Sequence, residues 1–120
     1  MANILIVDDS RTSRKILREI LENAGHTIMA ECVDGEEGYL KYKELKPDLV
    51  TMDITMPKMD GLEALQLIKK LDENARVIMI TAAGQKEKMV RAIKCGAAEF
   101  ISKPYEAEEV KNIVAKVLEA

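Results

Sequence analysis

The fold is decided near the start of the chain by the stretch Ile4-Leu5-Ile6-Val7-Asp8-Asp9, in which four apolar residues are followed at once by two aspartates. A short, wholly apolar run is typical of a parallel strand that is buried on both faces. Two further apolar runs end similarly, one at Asp53 and the other just before Lys103. Because the carboxyl ends of parallel strands meet at one edge of a sheet, these polar side chains are expected to share a crevice.

Apolar runs of strand length alternate with segments of helical period along the chain. This alternation predicts an α/β fold, a doubly wound five-stranded parallel sheet with five helices on its two faces. The second strand, residues 27–33, is more polar and is predicted to lie at an edge. Gly38 lies inside a helical segment, where glycine costs about 1 kcal/mol relative to alanine, so we expect close packing there. The apolar residues expected to face the core from the first and fourth helices are Ile16, Leu17, Ile20, Leu21, Met89, Ala92 and Ile93.

The composition indicates one globular domain that covers residues 1–120. A net charge of −3 argues against nucleic acid as a partner. No apolar stretch approaches the ~20 residues that span a bilayer, and the N-terminus carries no signal-type segment. We therefore expect a cytoplasmic monomer that does not insert into membranes. Cys32 and Cys95 lie in apolar surroundings and are expected to be free thiols.

The charges gathered at the sheet edge predict metal-assisted phosphoryl chemistry. Carboxylates that lie within ~4–6 Å of one another raise each other's pKa, and Mg²⁺ relieves this repulsion. Asp53 ends a central strand alone, so it is the candidate nucleophile, which would become an acyl phosphate. Lys103 would neutralise charge on the transferring oxygens, and Thr81 would donate its hydroxyl to one of them.

The motifs that carry this chemistry resemble those of the receiver domains of bacterial two-component response regulators. The resemblance covers essentially the whole chain, and together the motifs are very specific. Within the family, we expect a stand-alone chain without an output domain, which resembles the chemotaxis regulators of the CheY type. The matching stretches are Asp8-Asp9-Ser10, Met52-Asp53-Ile54-Thr55-Met56-Pro57, Ile80-Thr81-Ala82-Ala83 and Ser102-Lys103-Pro104-Tyr105.

The resemblance implies a flavodoxin-like sheet with strand order 2-1-3-4-5 and a sensor histidine kinase as phosphoryl donor. It also implies that Mg²⁺ is held by Asp9, Asp53 and the backbone carbonyl of Thr55, with Asp8 reaching it directly or through water. The bond between Lys103 and Pro104 is expected to be cis.

The resemblance further implies a conformational switch in which Phe100 turns inward as Thr81 moves towards the phosphoryl group. The affected face would comprise helix four, strand five and helix five, and it would bind a flagellar motor switch protein. Thr55 and Ala83 replace the acids or amides that relatives often carry at these two positions. We therefore expect the phosphoryl group to be lost slowly on its own and an auxiliary phosphatase to end the signal. We expect no enzymatic activity beyond the protein's own phosphorylation and dephosphorylation.

Other functions are also conceivable from the residues. A phosphorelay intermediate would pass the phosphoryl group to a histidine on another protein, and the sequence separates this poorly from a switch. A haloacid-dehalogenase-like phosphatase would need a second aspartate at position 55, which is threonine.

His26, the single histidine, is expected on the surface far from the cluster, which excludes a Ser-His-Asp site. A basic stripe on the first helix is interpreted as a solvated face and comprises Arg11, Arg14, Lys15 and Arg18.

Overall fold

The computed structural model describes residues 2–120, in which strands and helices alternate as the apolar pattern predicts. The strands are β1 (Asn3–Val7), β2 (Thr27–Cys32), β3 (Leu49–Asp53), β4 (Val77–Thr81) and β5 (Glu99–Ser102). The helices are α1 (Arg11–Asn23), α2 (Gly35–Leu45), α3 (Gly61–Leu71), α4 (Lys86–Lys94) and α5 (Ala107–Glu119). No helix within the described range is both long enough and apolar enough to cross a membrane.

The strands form one parallel sheet in the order β2-β1-β3-β4-β5, which confirms the predicted topology and the edge position of β2. The chain places β2 on one side of β1 and then β3, β4 and β5 on the other, so the order of the strands reverses at β1. Val7 is the register partner of Met52, so the aspartates that follow these residues emerge side by side. The switch point therefore brings Asp8 and Asp53 together, where ligands of open parallel sheets bind.

The sheet has a hydrophobic core on each face, which explains why its central strands are apolar throughout. Alternate side chains of β1 point to opposite sides. Leu5 and Val7 pack in the core beneath α2, α3 and α4, whereas Ile4 and Ile6 pack in the core beneath α1 and α5. The strand that leads into the aspartate pair is therefore enclosed by apolar side chains on both faces.

Two helix predictions were wrong in detail. Leu17, Leu21 and Ala92 are buried as expected, but Ile16 is 45% exposed and Ile93 is 60% exposed. A helix that packs on a flat sheet buries a narrower stripe than the sequence period suggests, and residues at its border remain in solvent.

Gly38 confirms the close packing expected within α2. A Cβ atom at this position would lie 2.9 Å from both Cγ atoms of Val7. The missing side chain lets α2 approach the end of β1, one residue before the aspartate pair.

Candidate functional site

Asp8 follows β1 directly and is buried, with 1% of its surface exposed. Its backbone N–H donates to the carbonyl of Cys32, which extends the pairing of β1 with β2 beyond the strand. Its Oδ1 accepts a hydrogen bond from the Ser10 N–H at 2.8 Å. Its Oδ2 is buried and accepts no hydrogen bond. A buried anionic oxygen without a hydrogen bond is costly, and here the Lys103 ammonium, 3.1 Å away, offsets its charge.

Asp53 ends β3 and is 7% exposed. Lys103, from the segment that follows β5, brings its Nζ to 3.3 Å from Asp53 Oδ2 and 3.1 Å from Asp8 Oδ2. The contact with Asp53 is a hydrogen bond, whereas the contact with Asp8 is an ion pair without hydrogen-bond geometry. The Lys103 backbone N–H donates to the Thr81 carbonyl, and the bond to Pro104 is cis as expected.

Asp9 completes an acidic cluster with Asp8 and Asp53. One carboxylate oxygen from each residue lies within 4.8 Å of the others. Three carboxylates paired with the one ammonium of Lys103 leave two uncompensated negative charges in a largely buried crevice. Oxygen donors at this spacing suit a hard divalent cation, and Asp8 Oδ2 offers an acceptor with no other hydrogen bond. The residues present therefore fit a bound Mg²⁺.

The cluster changes the proton affinity of its members. Burial, followed by repulsion from Asp8, raises the pKa of Asp53 to about 6, although Lys103 acts in the opposite direction. Burial alone would lower the pKa of Lys103, but its contacts with Asp8 and Asp53 outweigh this and raise the pKa. At neutral pH the lysine is charged and Asp53 is largely ionised, the form that can act as a nucleophile.

The raised pKa of Asp53 predicts a pH-dependent stability in the absence of metal. Between about pH 4 and 6 the folded protein keeps the Asp53 proton that the unfolded chain has lost, so the free energy of unfolding falls as pH rises. Two pKa units correspond to an effect of about 3 kcal/mol. Urea unfolding in EDTA at pH 4 and pH 7 measures most of it. The Asp53→Asn variant should lose this part of the pH dependence, and equal slopes in both proteins would contradict the pKa shift.

The remaining predicted residues lie around the cluster. Thr81 is buried at the end of β4, one residue beyond Ile80, which is the register partner of Asp53. Phe100, in β5, is half-buried and packs against the core beneath α4. Thr55 is exposed in the loop after β3. The catalytic, metal-binding and switch roles assigned to these residues stay predictions.

The loop that carries Thr55 is fixed by two glycines. The Gly61 N–H donates to the Ile54 carbonyl at 2.7 Å, and the Gly35 N–H donates to the Met59 carbonyl at 2.9 Å. A Cβ atom at Gly61 would overlap the carbonyl oxygen of Asp53. Only glycine allows this close approach of α3 to β3.

Sequence reasoning missed the role of Arg14, which was interpreted as part of a solvated stripe. Its side chain is only 14% exposed, and its Nε donates to Glu31 at 3.0 Å. One terminal nitrogen donates to the Asp8 carbonyl at 2.8 Å, so Arg14 supports the backbone of the acidic pair. Its partners, Glu31 on β2 and Asp8 after β1, lie in other segments of the chain. The spacing of residues within α1 therefore could not predict either contact.

A second missed residue is Gln85, which precedes α4. Its side chain contacts Thr55, in the loop after β3, and the backbone of Ala82, in the loop after β4. The only sequence signal was an amide close to the Thr81 motif.

Comparison with known proteins identifies the family of the chain. The family model described as the response regulator receiver domain matches residues 4–115. The chain is 46% identical to the chemotaxis protein CheY of Thermotoga maritima, with 95% of each protein covered. It is 48% identical to the chemotaxis protein CheY of Bacillus subtilis, with 96% of each covered.

Solved structures agree. A chain in the crystal structure of the CheX-CheY-BeF3-Mg²⁺ complex from Borrelia burgdorferi superposes with a TM-score of 0.91 at 44% identity, covering 96% of this chain and 87% of that one. Sequence, strand order and the acidic edge of the sheet thus lead to one assignment. The chain belongs to the response regulator receiver domain family, as a CheY-like receiver of two-component signalling.

Proposed function

We propose that the protein is a phosphorylation-activated switch in which Asp53 accepts a phosphoryl group from a phosphohistidine of a sensor histidine kinase. The observation that carries the proposal is the excess negative charge of the cluster. Lys103 contacts two of three gathered carboxylates, and Asp8 Oδ2 is left without a hydrogen bond. A buried site of this kind is suited to a cation and a transferable anionic group.

In the proposed reaction, a carboxylate oxygen of Asp53 attacks the phosphorus atom of the phosphohistidine. The new P–O bond forms as the P–N bond breaks, and the imidazole nitrogen leaves with the electron pair and takes a proton. At pH 7 Asp53 is mostly ionised, because its pKa of about 6 lies below that pH. The Lys103 ammonium, already 3.3 Å from Asp53 Oδ2, is placed to offset charge on the phosphoryl oxygens.

The carboxylates of Asp8, Asp9 and Asp53 and the carbonyl of Thr55 would hold Mg²⁺. The ion, when bound, supplies positive charge that stabilises the phosphoryl oxygens during transfer. The protein itself holds the acids in register, buries Asp8 and Asp53 away from bulk water, and keeps Lys103 within reach. It acts on no other substrate, and its place of action is the cytoplasm, where the kinase presents its phosphohistidine.

We further propose that the switch acts in chemotaxis and that its target is a flagellar motor switch protein. The similarity to chemotaxis proteins from two organisms supports this assignment over a phosphorelay. The exposed apolar residues Val90 and Ile93 give α4 a surface that a partner could cover.

The two functions can be separated in one experiment. The protein is incubated with acetyl phosphate and Mg²⁺, the labelled residue is mapped, and the labelled protein is offered a motor switch protein and a histidine-containing phosphotransfer protein. We expect the label on Asp53 and binding to the motor protein that depends on it. Rapid loss of the label to the histidine protein without motor binding would favour the relay.

Thr81→Ala is expected to separate phosphorylation from signalling. Thr81 carries the only side-chain hydroxyl of β4 and ends that strand; it would move towards the phosphoryl group, and Phe100 would fill the space it leaves. A shift from mostly inactive to mostly active needs up to ~5.5 kcal/mol of differential interaction, part of which partner binding supplies. The variant should be labelled at a similar rate yet bind the motor protein at least several-fold more weakly. Equal binding of phosphorylated parent and variant would refute the coupling.

The lifetime of the acyl phosphate is expected to be long without a second protein. Hydrolysis needs a water in line with the bond from Asp53 to phosphorus, and such positioning is worth several kcal/mol. Ala83 cannot orient this water, and Thr55 offers only a short hydroxyl. The CheY of Borrelia burgdorferi forms a complex with CheX, which supports a protein partner for this domain, and we propose that an auxiliary phosphatase ends the signal.

The double variant Ala83→Glu with Thr55→Asn should therefore lose its phosphoryl group faster, by roughly ten-fold for each 1.4 kcal/mol of improved positioning. The decay of labelled protein is followed after removal of the donor. An unchanged or slower decay would contradict this account of the two positions.

A further inference from the structure

The side chain of Gln85 links two loops that leave neighbouring strands. The Ala82 N–H donates to Gln85 Oε1 at 2.7 Å, and Gln85 Nε2 donates to Thr55 Oγ1 at 2.8 Å. Both ends of one amide are therefore used, one on the β4 side and one on the β3 side. We call this arrangement, comprising Ala82, Gln85 and Thr55, the amide bridge.

The amide bridge joins the loops that leave the carboxyl ends of β3 and β4, the edge of the sheet at which Asp53 lies. Thr55 is two residues beyond Asp53, and Ala82 directly follows Thr81. Asp53 is the register partner of Ile80, so the two anchored loops begin at adjacent positions of the sheet. On its other side Asp53 faces Asp8 and Lys103. A group entering between the two loops therefore meets the amide bridge, and Asp53 is only 7% exposed.

A local structural role does not account for the conformation of Gln85. The residue occupies the N-cap position of α4, but its side chain makes no capping hydrogen bond with that helix. The preceding loop consists of the small, exposed residues Ala82, Ala83 and Gly84. Gly84 has a φ of +84° and open space around it. Ordering a glutamine side chain costs conformational entropy. Here one hydrogen bond within the same loop, to Ala82, and one that reaches the loop after β3, to Thr55, offset that cost.

We propose that Gln85 is a positioning residue that closes the crevice over Asp53 in the unphosphorylated protein and must be displaced when the phosphoryl group arrives. The proposal rests on phosphorylation at Asp53. While the bridge is closed, the Gln85 amide oxygen occupies the Ala82 N–H, and the Gln85 amide nitrogen donates to Thr55 Oγ1. An anionic phosphoryl group on Asp53 would offer the Ala82 N–H a stronger, charge-assisted hydrogen bond. Phosphorylation and bridge closure therefore compete, and the strength of the bridge sets how readily a donor reaches Asp53.

Two shape-conserving variants remove the bridge from either end. Gln85→Met keeps the length of the side chain without its hydrogen bonds, and Thr55→Val removes the hydroxyl but keeps the backbone carbonyl. Since a neutral hydrogen bond changes an equilibrium by roughly two- to ten-fold, Gln85→Met should be labelled by dilute acetyl phosphate about three- to ten-fold faster than the parent. Thr55→Val should change the rate in the same direction. The double variant should be no faster than Gln85→Met, because both substitutions break one bridge.

The bridge itself is measured without phosphorylation. The Ala82 N–H should be protected from hydrogen exchange in the parent and lose this protection in Gln85→Met. Gln66→Met is the matched control, because Gln66 lies on α3 and donates to Cys95 Sγ instead. It should match the parent in labelling and in the exchange of Ala82.

The outcomes separate this proposal from the proposed function. If the parent protein takes up no label, the proposed phosphorylation of Asp53 is wrong. The amide-bridge proposal, which rests on it, is then lost for that reason alone. If the parent is labelled but Gln85→Met is labelled at the same rate or more slowly, the bridge does not restrict Asp53. The proposal would also be overturned if the double variant were labelled at a rate equal to the product of the two single effects. It would likewise be overturned if the Ala82 N–H exchanged without protection in the parent protein.

Discussion

The Asp53→Asn variant is expected to take up no phosphoryl group from acetyl phosphate in Mg²⁺, a loss of at least about 10³-fold in rate. Asparagine keeps the size of the side chain but lacks the anionic oxygen that attacks phosphorus. Asp8 is buried, and its Oδ2 lies against Lys103. Asp9 is the exposed member of the cluster. Neither ends a strand in the position of Asp53, so neither should replace it. Intact-mass measurement after incubation detects the label.

Asp60→Asn is the matched control for this experiment. Asp60 lies in the same loop region and caps α3 by accepting from the Glu63 N–H at 3.0 Å, which an asparagine oxygen can also do. This variant should be labelled like the parent. Label retained at another residue in Asp53→Asn would show that the nucleophile has been wrongly assigned.

The second large effect is expected from Asp9→Ala, which should abolish measurable Mg²⁺ binding to the unphosphorylated protein. Asp9 supplies one of the three oxygens gathered within 4.8 Å, and it is the most accessible to a hydrated ion. Without metal, the same substitution removes one charge from a cluster with excess negative charge. A repulsion on the order of 1 kcal/mol would be relieved at low salt, which raises the melting temperature by a few degrees.

Magnesium titration followed by thermal melting, with and without EDTA, measures both effects. Glu19→Ala is the control, because Glu19 is an exposed acid on α1 whose loss changes the net charge equally. It should keep Mg²⁺ binding and show little gain in stability. An Asp9→Ala protein that melts below the parent in EDTA would contradict the repulsion argument, and retained Mg²⁺ binding would remove Asp9 from the proposed ligands.

The combination of a weakly compensated acidic cluster and a closed amide bridge has a consequence for signalling. If both proposals hold, the cluster would attract a cation and the bridge would restrict access to Asp53, whose proton affinity is raised. The arrival of a phosphoryl group with its metal would relieve both restraints. The unphosphorylated protein would therefore remain inactive towards small donors present at low concentration, while a kinase that docks closely could supply the energy to open the crevice.

The sequence by itself determined the architecture and the acidic edge of the sheet. The apolar run from Ile4 to Val7 specifies a strand buried on both faces, and the aspartates that end it must emerge at the carboxyl edge. The same argument applies to Asp53. Gly38 signalled close packing because a helix tolerates glycine only at a cost. These inferences depend on periodicity, on where a run ends and on local conformational preference, all of which are properties of short segments.

The tertiary structure alone decided which side chains meet across the crevice. The distances from Lys103 to Asp8 and Asp53, the burial of Arg14 against Glu31, and the reach of Gln85 to Thr55 all join residues from separate segments. Gln85 and Thr55 are 30 residues apart. Such contacts depend on the path of two loops and on the rotamers of long side chains. Neither is encoded in the period of the sequence, because loops satisfy their backbone in many conformations until the packed sheet and helices select one.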